Sequence, residues 1–105
     1  FEKEFDFKAQ NDSLKTEINN LHKSILKLNE TANNKVIFDK YDIAVTNLMS
    51  QVENATTQEK KNGFLLTILK FQNQIKGLFE NLNKDVEKQL KKAKTVQETL
   101  SIFGL

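Results

Sequence analysis

Apolar residues recur along this chain in steps of three and four, the period of an α-helix, and nowhere alternate in twos over the length of a strand. The first stripe falls on Leu14, Ile18, Leu21, Ile25, Leu28 and Ala32, the a/d spacing of a coiled-coil seam, with Leu26 widening one side. Asp12 and Ser13 stand just ahead of it and are both competent N-caps, so a helix is predicted over about 12–32. Asn33-Asn34 then punctuates the chain, because Asn tolerates the left-handed conformation that ends helices. Ile37, Tyr41, Ala44, Leu48, Val52 and Ala55 predict a second helix over about 35–55, flanked by Val36, Phe38, Val45 and Met49. This is the broadest apolar face, which suits a helix with neighbours on two sides.

The stretch NATTQEKKNG at 54–63 is the clearest interruption. Thr56 followed three residues later by Glu59 has the capping-box pattern, and Asn62-Gly63 is a turn signal, so a new helix can start at either point. Phe64, Ile68, Phe71, Ile75, Leu78 and Leu82 carry the third stripe, after which the phase slips at Val86 and Leu90. Gly77, Asn81 and Asn83, all weak helix formers, surround the slip. An unbroken helix over 64–103 would be about 60 Å long and would leave half of its stripe without a partner, implying a homodimer. A break near 80–84 gives matched segments and a closed core. The expected architecture is therefore an all-α, antiparallel bundle of three to four helices, four being favoured. It forms one domain over 1–105, with helices at about 12–32, 35–55, 58–80 and 84–103. Residues 1–10 are read as an N-terminal extension, either an extra turn or two of the first helix or a flap folded over the bundle.

Composition supports this picture and narrows the chemistry. The chain lacks proline, has three glycines, and carries 13 Leu, 8 Phe, 7 Ile and 5 Val, enough to form a core. Cysteine is absent, which removes disulfides, thiolate metal sites and thiol nucleophiles. The net charge of +2 is too small to imply nucleic acid, and every one of the 16 basic residues is lysine. Without arginine there is no bidentate fork for guanine or phosphate, so no specific nucleic-acid partner is expected. No apolar run is long enough to span a bilayer. The sequence begins at Phe1, which reads as a processed or trimmed product, and the expected location is secreted or cell-surface, with an intracellular one as the alternative.

Candidate chemistry is sparse. His22, the sole histidine, sits on the rim of the first stripe with no carboxylate or nucleophile local to it, and is read as a rim residue. Asp39 and Asp42 share a helical face but lack the Glu-x-x-His pairs of a helical di-metal site and the Asp/Asn-Gly pattern of a calcium loop. Neither a catalytic residue nor a cofactor or metal site is expected, and the chain is read as not an enzyme. Three Asn-x-Ser/Thr sequons occur, at Asn11, Asn29 and Asn54.

Two features could bind a partner. Lys84, Lys88, Lys91 and Lys92 recur at helical spacing on one flank of the fourth helix, a surface for anionic groups. Phe1, Phe5, Phe7 and Phe38 lie off the main stripes, where aromatics can act as anchors. The functional expectation is a helical bundle that binds another protein. The alternatives are an amphipathic bundle on membrane headgroups, or a small intracellular regulator that dimerises.

Overall fold

A computed structural model describes residues 6–105. Among them the chain is helical without a strand: α1 (Phe7–Ala32), α2 (Lys35–Asn54), α3 (Gln58–Glu80), α4 (Lys84–Lys92) and α5 (Val96–Ile102).

The starts and stops are set by short polar side chains that satisfy orphan helix-end amides. α1 begins at Phe7 rather than near 12, because Asp6 is its N-cap and accepts from the Ala9 amide at 3.0 Å. Asp12 and Ser13 are exposed within the helix, so residues 7–10 are helix and not a flap. Asn33, at φ 49°, ends α1, and its amide donates to the Asn29 carbonyl at 2.7 Å. Asn34 then caps α2, accepting from the Ile37 amide at 3.1 Å. The Asn pair thus closes one helix and opens the next.

α3 is capped by Thr57, not Thr56: its hydroxyl accepts from the Lys60 amide at 3.1 Å. Asn62-Gly63 is no turn but lies inside α3. The expected break near 80–84 is present. α3 ends at Glu80, and Asn83 caps α4 by accepting from the amides of Asp85 and Val86 at 3.0 and 3.2 Å. With α3 ended there, the premise for a dimer built on one long helix does not hold. A second break, at 93–95, divides the expected fourth helix, so the described residues form five helices rather than three or four. Thr95 caps α5 through the Glu98 amide at 3.0 Å, while the Glu98 carboxylate accepts from the Lys94 amide at 2.9 Å. Such a Thr-x-x-Glu exchange favours starting a new helix over continuing the old one.

α3 is the centre of the three long helices, packing against α1 on one side and α2 on the other. Asn11 bonds to Gln58 and Asn62, and the Ile18 carbonyl to Gln72, so α1 and α3 run parallel. α2 returns between their ends. The short α4 and α5 pack on α2 and on each other, and the molecule measures 52 × 25 × 22 Å.

Ile25, Ile37, Tyr41, Leu65, Ile68, Phe71, Ile75 and Leu90 are wholly buried. Burying a large apolar side chain contributes about 1.5–3 kcal/mol, so this set carries much of the stability. Phe71 is its hub, with Tyr41 stacked at 6.0 Å and Phe103 edge-on at 5.6 Å between centroids. The first and third stripes are slightly rotated from expectation. Leu21 is only half-buried, because α1 has its main partner on one side alone. Leu65 takes the buried place expected of Phe64, since α3 must serve α1 and α2 together. Leu82 is 49% exposed because it falls in the loop between α3 and α4.

Two buried asparagines join α1 to α3 near the base. The Asn11 side-chain nitrogen donates to the Gln58 backbone and side-chain oxygens at 2.8 and 3.0 Å. Asn62 donates to the Asn11 side-chain oxygen at 3.1 Å and also to Gln10. Asn11 is therefore a packing residue, and its sequon is closed by burial.

Candidate functional site

The fold places the sequence-predicted residues in three different situations. Lys84, Lys88, Lys91 and Lys92 are all exposed on α4, while Leu90 and Ala93 are buried and Val86 is half-buried. The lysines and the apolar residues thus occupy separate arcs of one short helix, as their spacing requires. Asp85 and Glu87 stand in the first turn and Lys91 and Lys92 in the last, where each sign complements the helix dipole. That local reason does not cover Lys84, the first residue of α4, where a cation opposes the dipole.

The phenylalanines separate from the lysines. Phe38 is half-buried and packs on the core, its ring 5.9 Å from that of Tyr41. Phe7 opens α1 and is half-buried. Phe1 and Phe5 lie outside the described residues. The exposed large apolar residues are instead Leu26, Ile43, Leu66 and Leu82, one each on α1, α2, α3 and the loop that follows.

His22 has a partner that local sequence did not reveal. Its Nδ1 lies 2.7 Å from the Tyr41 hydroxyl of α2, and the two rings stack at 5.8 Å. Gln72 of α3 completes the group: its side-chain nitrogen donates to the Ile18 carbonyl at 3.1 Å and to the Tyr41 oxygen at 3.2 Å. The proton direction at Gln72 follows from the chemistry of its partner. The Ile18 carbonyl can only accept, so Gln72 must present its nitrogen there. Tyr41 then accepts from Gln72, and which of the Tyr41 hydroxyl and His22 Nδ1 donates to the other is set by the tautomer of the imidazole. Tyr41 is a regular member of the α2 stripe, and a buried phenol demands a partner, so this pairing had a faint signal in the sequence.

One atom of this group is left over. The Gln72 side-chain oxygen is buried without a hydrogen-bond partner. Leaving such an acceptor unpaired costs about 1–3 kcal/mol. Gln72 also lines a cavity of about 320 Å³ between α1 and α2, bounded by Ile18, Asn19 and His22 on one side and Asp42, Val45, Thr46 and Met49 on the other. Burial pushes the Tyr41 phenol above its ordinary pKa; the Gln72 hydrogen bond opposes this, and the Asp42 charge adds to it.

Asp39 and Asp42 are both exposed. Among the described residues no three His, Asp or Glu side chains are grouped to hold a metal ion, and no helix is long and apolar enough to cross a membrane. No family model matches the chain, and neither a curated protein nor a solved structure matches it.

Proposed function

We propose that this chain is a non-catalytic helical bundle that binds an acidic surface of another protein through the lysine arc of α4. The observation that carries this reading is the exposure of Lys84, Lys88, Lys91 and Lys92 together on a helix anchored by buried Leu90. Four cations held on one rigid arc create a local positive field in a chain whose net charge is only +2. Lys84 strengthens the case, since its position works against α4 itself.

A protein is favoured over membrane headgroups as the partner. An amphipathic helix binds a bilayer by inserting its apolar face, whereas Leu90 and Ala93 are already spent in the core. The exposed Leu26, Ile43, Leu66 and Leu82 come from different elements and none belongs to α4. The setting proposed with this function is secreted or surface-displayed, on the grounds of a surface rich in lysine and asparagine.

The test replaces Lys84, Lys88, Lys91 and Lys92 with glutamine together, with poly-glutamate as the acidic probe and phosphatidylserine vesicles as the competing surface. Poly-glutamate should bind the native chain and release as salt rises, because exposed charges are screened beyond about 8 Å in physiological salt. The quadruple variant should lose that binding while its unfolding free energy changes by less than about 1 kcal/mol. Equal binding by the variant would make the arc a solubilising face only. Preferential binding to the vesicles would favour the membrane reading instead.

A further inference from the structure

We infer that Asn62 is a site of spontaneous deamidation held off by the contact between α1 and α3, and that its conversion to aspartate releases the base of α1 from α3. The fold thus carries a chemical record of its own opening. No residue of α4 takes part, so the site does not depend on the lysine arc.

Asn62-Gly63 is the single Asn-Gly pair in the chain. In such a pair the backbone nitrogen of the glycine can attack the side-chain carbonyl carbon of the asparagine, because no β-carbon on the following residue crowds the approach. The attacking nitrogen gives up its proton to water, the new C–N bond closes a five-membered succinimide, and the side-chain nitrogen leaves as ammonia. Water then adds to one of the two ring carbonyls and opens the ring to aspartate or isoaspartate. The sum is asparagine plus water giving the acid plus ammonia, and no oxidant or reductant is needed. Packing does not require glycine at 63: a β-carbon there would meet nothing within 4 Å, and its φ is not positive. Glycine inside a helix weakens it relative to alanine, so the helix gives no reason of its own for the pair.

The folded chain withholds both reacting groups. Gly63 lies inside α3, and closing the ring requires the backbone at Asn62 to leave the helical conformation. Asn62 is buried, and its side-chain nitrogen, the leaving group, donates to the Asn11 side-chain oxygen at 3.1 Å and to Gln10. Conversion therefore waits for the first turns of α1 and α3 to part, a local opening rather than global unfolding.

Once formed, the product keeps them apart. A carboxylate at 62 has no proton to donate and faces the Asn11 oxygen, acceptor against acceptor. Asn11 cannot turn its carboxamide to help, because its nitrogen already serves the backbone and side-chain oxygens of Gln58 at 2.8 and 3.0 Å. A buried carboxylate without donors is costlier than the neutral amide it replaces. Isoaspartate adds a main-chain methylene as well, which breaks the helical repeat of α3.

The test incubates the full chain in native buffer and in guanidinium and follows conversion at each asparagine by peptide mass mapping. In guanidinium Asn62 should convert ahead of every other asparagine. In native buffer it should convert at least about tenfold more slowly, since only the opened fraction reacts. Gly63→Ala should fold like the native chain and suppress conversion in guanidinium. Asn62→Asp should lose hydrogen-exchange protection at amides near Asn11 and Asn62 while those of the buried Leu48 and Ile75 keep theirs. If Asn62→Asp does not fold, the comparison of native and denatured chains still decides, because it needs no substitution. Equal conversion in the two solvents overturns the inference, as does a denatured chain in which Asn62 has no lead over Asn73 and Asn83. An Asn62→Asp chain protected as fully as the native one near both asparagines overturns it too.

Discussion

The hydroxyl of Tyr41 and the Nδ1 of His22 meet at 2.7 Å, joining α2 to α1 at the level where Gln72 joins α3 to both. The three long helices are thus tied by one polar group set within apolar packing. Removing the hydroxyl with Tyr41→Phe leaves Gln72 and His22 each short of a partner. The cost should be about 1–3 kcal/mol in urea unfolding, with the helical content unchanged. Pairing Tyr41→Phe with Gln72→Met should cost less than the sum of the two, by at least about half a kcal/mol, because both remove the same network. Strict additivity would show that the three side chains act independently.

Tyr41 also sets a pH limit. It is the only tyrosine, and its phenol is held above its ordinary pKa, first by burial. In the unfolded chain the phenol titrates near about 10. Above that pH the unfolded chain has released the proton while the folded chain retains it, so the native state binds more protons and stability falls as pH rises. The Tyr41 contribution is therefore complete below about 10 and is lost as pH climbs through the folded-state value. Phenolate absorbance should appear only above the ordinary tyrosine range and should coincide with loss of helicity. A phenolate signal at the ordinary pKa in a fully helical chain would contradict the burial of Tyr41.

The helical period was enough to place α2, the Asn33-Asn34 turn and the break at 81–83, because in each a capping residue coincides with the end of a stripe, whereas the start of α3 stayed open between two polar signals until Thr57 proved to be its cap. It misplaced the start of α1, where Asp6 outcompetes Asp12 by allowing an additional stretch of helix that carries Asn11 into contact with α3. It also missed the division between α4 and α5. The Thr95-x-x-Glu98 signal for it was in the sequence but was overridden by a continuous run from Val86 through Leu100 to Phe103. The lysine arc was legible because exposure follows directly from spacing. The His22, Tyr41 and Gln72 group was not, because its members come from three helices and Gln72 is a buried polar residue that periodicity assigns to the surface.

Core substitutions should separate the hub from the rim. Phe71 is wholly buried between the rings of Tyr41 and Phe103, and Phe71→Ala should cost about 3–5 kcal/mol. Leu21 belongs to the first stripe by spacing but is half-buried, so Leu21→Ala should cost clearly less than Phe71→Ala under the same denaturant conditions. Equal losses at the two positions would show that α1 is seated more deeply than its contacts indicate.

The buried pair Asn11 and Asn62 should matter more for register than for stability. Their mutual bond is 3.1 Å, and each is further held, Asn11 by Gln58 and Asn62 by Gln10. Replacing one partner strands the other, so Asn62→Leu alone should cost about 1–3 kcal/mol. Replacing both with leucine removes the stranded groups and adds apolar burial, so the double variant should unfold with a free energy equal to or above that of the native chain. What it should lose is a unique alignment. An apolar stripe of period three and four can slide by a turn with little change in contact, whereas an Asn pair bonds in one register only. The chain has no cysteine, so spin labels can be attached cleanly at cysteines introduced at the exposed positions Glu17 of α1 and Asn73 of α3. A single narrow distance distribution is expected in the native background and a broader or two-peaked one in the Asn11→Leu, Asn62→Leu background. An unchanged narrow distribution would mean that the apolar packing around Ile18, Ile68 and Ile75 fixes the register without help from the asparagines.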